Sequence, residues 1–300
     1  MATAIASMFM RNFGIKRSAI LSVLLVFTLL FTCISCAFES EPKEELTELS
    51  KYDDYKDIPG VTEEEIAAIE SIKKDNHLLT YAMVRSTEAF YNTEGDLDGY
   101  SVLLCQSLSQ LFGIEFKVRL VEWEELIHGL ADHRYDFTGE LSKNAKNQST
   151  YFMTDTMANR SIYYYKLNTS STLAATAKTR PLEYAFLHGS TAYDRLVESS
   201  EEAFNAHYVS NYTEAYQLIK DGTVDAFIDH STAEYVFDAY PEILASEFLP
   251  LIYVPVSLST QNESLKPIID VMEKYLASDG VVVPTQLLQP RPQKLCEKSV

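Results

Sequence analysis

Between His77 and Asp238 the sequence runs twice through one succession of patterns: a strand-like run, a turn, an apolar-striped helical stretch, and further runs of both kinds. The first pass places strands at residues 78–83 and 114–120, a turn at 95–99 and a helix at 100–112 ended by Gly113. A helix at 123–130 and a strand at 135–139 complete it. The second pass places strands at 184–187, 207–210 and 224–229, with helices at 193–204, 213–220 and 232–238. Strands that alternate with helices at this spacing form parallel sheets covered by helices, so two such blocks predict two α/β lobes. The apolar run 251–258 and the helix 264–277 have no strand partner left in the second block. They are therefore predicted to return to the first lobe, which makes it discontinuous and gives the chain two hinge crossings.

Ahead of the blocks, Arg11, Lys16 and Arg17 precede an apolar run at 19–31, the signature of an export signal. The run ends in Cys33-Ile34-Ser35-Cys36, which has the form of a bacterial lipobox with Cys36 as the lipidated residue. Cys33 stands where Leu is usual. The segment 18–38 is also, at roughly 20 residues, long enough to span a bilayer. Three readings fit: a lipoprotein attached through Cys36, an uncleaved N-terminal anchor, and a cleaved secreted form. All place the body outside the cytoplasm, facing the periplasm or the exterior.

Residues 39–59 are charged and lack apolar periodicity, which predicts a tether, and Thr62-Glu-Glu-Glu65 predicts a capped helix start. The predicted organisation is an export or anchoring segment at 1–38 and an acidic tether with a short helix at 39–76. The first lobe comprises 77–167 plus 252–290, the second 168–251, and a polar tail follows at 291–300.

The chain carries 25 basic and 43 acidic residues, and loss of the first 35 residues would deepen its charge from −18 to −21. Such a surface excludes nucleic acid as a partner, since binding a polyanion relies on clustered Lys and Arg. No nucleophile elbow, phosphate loop or metal-ligand spacing occurs, so no cofactor and no metal are expected. Cys105 sits in an apolar helical run as a buried thiol, and its pairing with Cys296 stays open in an oxidising compartment.

Several segments in order resemble the bacterial extracellular solute-binding proteins of family 3, the polar amino-acid type. They include Gly99-Tyr-Ser-Val-Leu-Leu-Cys-Gln-Ser-Leu, Glu122-Trp-Glu-Glu-Leu-Ile-His-Gly-Leu, Phe152-Met-Thr-Asp155 and Leu187-His-Gly-Ser-Thr-Ala. The run Ala215-Tyr-Gln-Leu-Ile-Lys-Asp-Gly-Thr-Val-Asp-Ala-Phe-Ile-Asp adds to them. The segments Asp57-Ile-Pro-Gly-Val-Thr, Ser86-Thr-Glu-Ala-Phe-Tyr91 and Arg160-Ser-Ile162 are similar to the branch that senses ligands for membrane histidine kinases and diguanylate cyclases. Family members usually continue into a final helix where this chain has an irregular stretch at 284–298, which suggests a stand-alone or truncated form. The resemblance implies a type II periplasmic-binding-protein fold and a non-catalytic protein that closes on a small polar solute. Its partner would be a membrane permease for transport or a membrane signalling protein. A degenerate or protein-binding surface lipoprotein is the alternative, and a dehydratase acting on cyclohexadienyl substrates is a further one.

In this family an Arg of the first lobe usually holds the ligand carboxylate and an Asp of the second its ammonium. By the same register Asn147 stands at the Arg position and His230, one residue after Asp229, at the Asp position. Lys143 and Lys146 are the substitutes in reach, though ordinary surface frequencies favour reading each as a solvated loop residue. Glu140, at the end of a strand, either faces a cationic or polyhydroxylated ligand or is a structural residue bonded to backbone donors at a helix start. Ser142 falls beside it. Glu88 and Phe90 lie on the first strand-to-helix loop at the cleft border. Gly189-Ser190-Thr191 opens a helix after a strand, where Ser190 and Thr191 can hold an anionic or carbonyl group or simply cap the helix. His230 is either a titrating ligand or a structural side chain.

Overall fold

The computed structural model describes residues 51–199, 203–248 and 250–278. Cys36, Cys296, the export segment, residues 39–50 of the expected tether and the polar tail lie outside the described residues.

Helix α1 (Glu63–Asp75) starts at Thr62, whose hydroxyl accepts from Glu65 N while the Glu65 carboxylate accepts from Thr62 N, the reciprocal cap read from the sequence. Next come β1 (Leu78–Met83), a small hairpin of β2 (Phe90–Tyr91) and β3 (Leu97–Asp98), α2 (Tyr100–Phe112), β4 (Glu115–Leu120), α3 (Trp123–Ala131), β5 (Phe137–Leu141), α4 (Ala145–Gln148) and β6 (Phe152–Met153). Strand β7 (Ala158–Leu167) leads into α5 (Leu173–Ala177), β8 (Leu182–Leu187), α6 (Ala192–Ser199), β9 (Phe204–Val209), α7 (Tyr212–Lys220), β10 (Ala226–His230), α8 (Glu234–Phe237) and β11 (Ile243–Glu247). Strand β12 (Tyr253–Thr260) and α9 (Lys266–Ala277) return to the first lobe.

The strands run in the order β4-β1-β5-β12-β7-β10-β8-β9. Within each lobe the neighbours are parallel: β1 pairs with β4 and β5, and β8 with β9 and β10. The two long strands between them are antiparallel and shared. The first half of β12 lies opposite residues 158–161 of β7, and its second half, through Ser257 and Ser259, opposite Leu141 and Thr138 of β5. The second half of β7 pairs instead with β10 and β11. This is the mixed α/β, type II arrangement of two lobes joined by two adjacent strands, and the open crevice of each lobe lies at the carboxyl ends of its parallel strands.

One apolar cluster fills the first lobe around Phe112, Phe116, Phe137 and Ile269, and another fills the second around Phe186, Ile228 and Val254. A third joins Val84, Trp123 and Leu126 to Leu187, Phe227 and Phe237 across the lobes. Burial of each such side chain contributes about 1.5–3 kcal/mol.

The structure departs from the sequence reading at several edges. Residues 51–58 do not behave as a tether: Tyr55 and Ile58 are buried, the Tyr55 ring stacks 5.6 Å from Phe112, and its hydroxyl donates to Glu70. Two apolar residues within a charged run carry no period, so only the ring that receives them reveals their role. Phe204 opens β9 rather than closing a helix, because its ring packs on Tyr184, Phe186 and Tyr193. Residues 231–233 form a 3-10 turn ahead of a short α8. As the sequence predicts, Cys105 is buried, and among the described residues its thiol has no disulfide partner; burial pushes it up to about 12.

Candidate functional site

Two glycines shape the approach to the cleft. Gly99 has φ 112° and a Cβ there would lie 2.5 Å from the Glu88 carbonyl oxygen, so its lack of a side chain lets the loop bearing Glu88 fold against the start of α2. That carbonyl accepts from Ser101 N at 2.9 Å. A Cβ on Gly139 would lie 2.0 Å from the Tyr81 hydroxyl, so only glycine lets β5 pass this ring just before Glu140.

Between the lobes lies a cavity lined from the first lobe by Val84, Trp123, Glu140 and Leu141. The second lobe supplies Leu187, Gly189, Ser190, Thr191, Tyr212, Asp229, His230 and Thr232. Its free volume is about 10 Å³, room for about one water. Around it the lobes bond directly. Trp123 Nε1 donates to His188 O at 2.7 Å, Thr87 N to Thr232 O at 2.9 Å, and the Ser142 and Thr191 hydroxyls lie 3.2 Å apart. At the rim the Phe90 ring lies 5.2 Å from that of Tyr235, whose hydroxyl donates to Tyr91 O.

Beneath the cavity sits a buried charge cluster that the sequence reading missed. Arg160 of β7, 4% exposed, donates through Nε and Nη2 to the two oxygens of Glu88 at 3.1 and 2.6 Å, and through Nη1 to Glu140. The other Glu140 oxygen accepts from Val84 N at 3.2 Å. Burial pushes the Glu140 carboxyl up, with the Glu88 charge acting in the same direction and Arg160 opposing. Arg160 itself is held far above its ordinary value: burial opposes its charge, but the two glutamates outweigh burial. Asp229 is pushed up to about 7, mainly by burial, against hydrogen bonds from His230 N and the Tyr212 hydroxyl. His230 is pushed down to about 3 by burial and the Arg160 charge, so it is neutral at pH 7. Two buried atoms on cavity residues, Ser190 Oγ and His230 Nε2, have no hydrogen-bond partner.

Of the residues singled out by sequence, Glu140, Ser190, Thr191, Asp229 and His230 line this cavity. Glu88 lies behind it on Arg160, Ser142 bonds to Thr191, and Phe90 stands at the rim. Asn147 points back into its own lobe, donating to Ser142 O at 2.8 Å. Lys143 bridges Asp155 and Glu273, and Lys146 is exposed, so neither takes the place of an arginine in the cavity. Glu140 is bonded to a backbone donor as one reading held, but on a strand and with a guanidinium as its main partner.

Trp123, Tyr212 and Thr232 were not anticipated. The chain's single tryptophan at a helix start after a strand was the available signal, since this fold places such positions beside the crevice. Arg160 entered only as part of a family-like segment, and nothing local signalled its partners, which come from 72 and 20 residues away. Among the described residues no group of three or more His, Cys, Asp or Glu side chains is placed to hold a metal, and no helix is long and apolar enough to cross a membrane.

The family model of the bacterial extracellular solute-binding proteins, family 3, matches residues 83–282. The chain belongs to this family. Solved structures of similar fold include the periplasmic VFT2 domain of BvgS from Bordetella pertussis, at 19% identity and TM-score 0.58, covering 75% of this chain and 98% of that one. Holo ArgBP from T. maritima matches at 16% identity and TM-score 0.54, covering 69% and 92%. An ancestral arginine-binding protein bound to glutamine matches at 15% and 0.55, covering 71% and 96%. At these identities the likeness to these structures is one of fold. No curated protein matches.

Proposed function

We propose that this family-3 protein is an exported receptor that captures a small polar solute between its lobes and presents the closed form to a membrane permease or signalling protein. The observation that carries the reading is the convergence of polar groups from both lobes on one cavity, two of them, Ser190 Oγ and His230 Nε2, buried without a partner. Buried polar atoms are nearly always hydrogen-bonded, and a ligand would supply the missing bonds. A solute larger than one water enters by parting the bonds of Trp123, Thr87 and Ser142, with bending in the shared strands β7 and β12. Attachment through Cys36 would keep the receptor beside its partner, and Cys36→Ala would abolish incorporation of a labelled fatty acid into the chain.

The test is a thermal-shift screen of the purified chain against amino acids, amines, organic acids, oligopeptides and sugars. A ligand that binds only the folded state raises its apparent stability, by about 2.7 kcal/mol at a hundred times Kd. One class should give a saturable shift that weakens in Ser190→Ala and Thr191→Ala. A flat response across the panel would refute the receptor reading.

A further inference from the structure

The cavity carries carboxyl groups and no cation to balance a second anion. Glu140 and Asp229 both line it, and none of its lining residues is Lys or Arg. Among the described residues the one buried guanidinium, Arg160, is already set against two carboxylates, Glu88 and Glu140. Taken as ionised, those three groups sum to one negative charge, and an ionised Asp229 adds another. His230, the remaining titratable lining group apart from Tyr212, is held neutral. The start of α6 at Ala192 offers only the partial charge of a helix end, roughly half an elementary charge.

An α-amino acid brings an ammonium and a carboxylate into this space together. Its ammonium would find two carboxyl oxygens sets, but its carboxylate would be buried beside them without a cation, and an unpaired buried charge is strongly disfavoured. Trp123 and Tyr212 also line this space, and an aromatic face attracts cations and not anions.

The geometry points to a small organic monocation without a carboxylate, a primary amine, as the ligand class, with its ammonium against Asp229 and Glu140 and Ser190 Oγ and His230 Nε2 left for a neutral polar group. This rests on the receptor reading above and narrows it. The groups that face Asp229 are Glu140 from β5, Arg160 and Tyr165 from β7, Tyr212 from α7 and His230 from β10 itself. The pair forms only when Asp229 is ionised, so affinity rises with pH through about 7. It then holds until the amine loses its proton, near pH 10 for an alkylammonium.

Isothermal titration of the purified full chain with ethylamine and ethanolamine, beside alanine, glycine and acetate, tests the assignment. The expected result is saturable binding of the amines, at least about 30-fold tighter than the matching amino acid, and loss of about 30-fold or more in Asp229→Asn. Tyr212→Phe removes a donor that favours the ionised form, so the pH at which amine binding sets in should move upward, a shift that general loosening of the fold would not produce. Alanine or glycine binding as tightly as the amines, or acetate binding at all, would overturn the monocation class while leaving the receptor intact. Amine affinity unchanged in Asp229→Asn would overturn the assigned position. Silence from every compound here, with a positive hit elsewhere in the thermal screen, would overturn this inference alone. Silence in both would overturn the receptor reading too.

Discussion

Replacing Arg160 with Met isolates the energetics of the buried cluster. The substitution keeps much of the side chain's volume but removes three charge-assisted hydrogen bonds and leaves Glu88 and Glu140, 5% and 4% exposed, facing each other without a counter-charge. Breaking a buried pair by deleting one partner costs about 3–5 kcal/mol, a large part of a typical stability of about 5–15 kcal/mol. Urea unfolding at pH 7, followed by circular dichroism, should therefore show a loss of at least about 3 kcal/mol. The pH dependence carries the sharper check. Without the guanidinium the main force opposing the burial that pushes the Glu140 carboxyl up is gone, so the folded protein binds more protons than the unfolded chain and acid stabilises it. The deficit relative to the unsubstituted protein should shrink as pH falls from 7 toward 5. Adding Glu88→Gln and Glu140→Gln, which keep the shapes and an acceptor for Val84 N, should restore at least half the loss. A deficit below about 1 kcal/mol at pH 7, or one indifferent to pH, would show that no ionised buried cluster exists and refute the reasoning.

Asp229 and His230 should act on stability in opposite senses. With Asp229 raised to about 7, acidification from pH 7 to 4 stabilises through this group, whereas with His230 lowered to about 3, falling from pH 6.5 to 3 destabilises. Asp229→Asn should thus leave a protein that weakens on acidification over that range, and His230→Gln one that strengthens; equal slopes by urea unfolding would contradict the burial of either group. Trp123 is the chain's single tryptophan and is tied to His188 O, so opening of the lobes should shift its fluorescence to longer wavelength, and a saturating ligand should hold it at the blue end. Gly139→Ala forces a methyl group against the Tyr81 hydroxyl and should cost about 1–3 kcal/mol, partly recovered by Tyr81→Phe in the same chain. Failure of that second change to help would place the strain elsewhere.

The two-lobe architecture was legible because it rests on local patterns. Capping at Thr62, the αL stop at Gly113, the alternation of β4 and the apolar stripe of α2 each declare themselves within a dozen residues. The return of β12 followed by elimination, since an apolar strand without a partner must find one. Element edges were less legible: whether Phe204 ends a helix or opens a strand depends on rings from other elements.

The site divides along the same line. Sequence alone determined which segments end at the crevice, and so brought Glu140, Ser190, Thr191, Asp229 and His230 to the cavity wall, because in this fold chain order and strand direction decide where loops emerge. The family resemblance added the expectation that Asn147 and His230 stand at the positions of the usual Arg and Asp. Only the tertiary structure decided what the remaining groups mean. Glu88 and Glu140 are 52 residues apart and acquire their common role from Arg160 on a third strand. Asp229 and His230 acquire their opposed proton affinities from burial between lobes. A residue's type is written in the chain, but its charge state, partner and exposure are set by neighbours in space, and those are known only when the lobes have met.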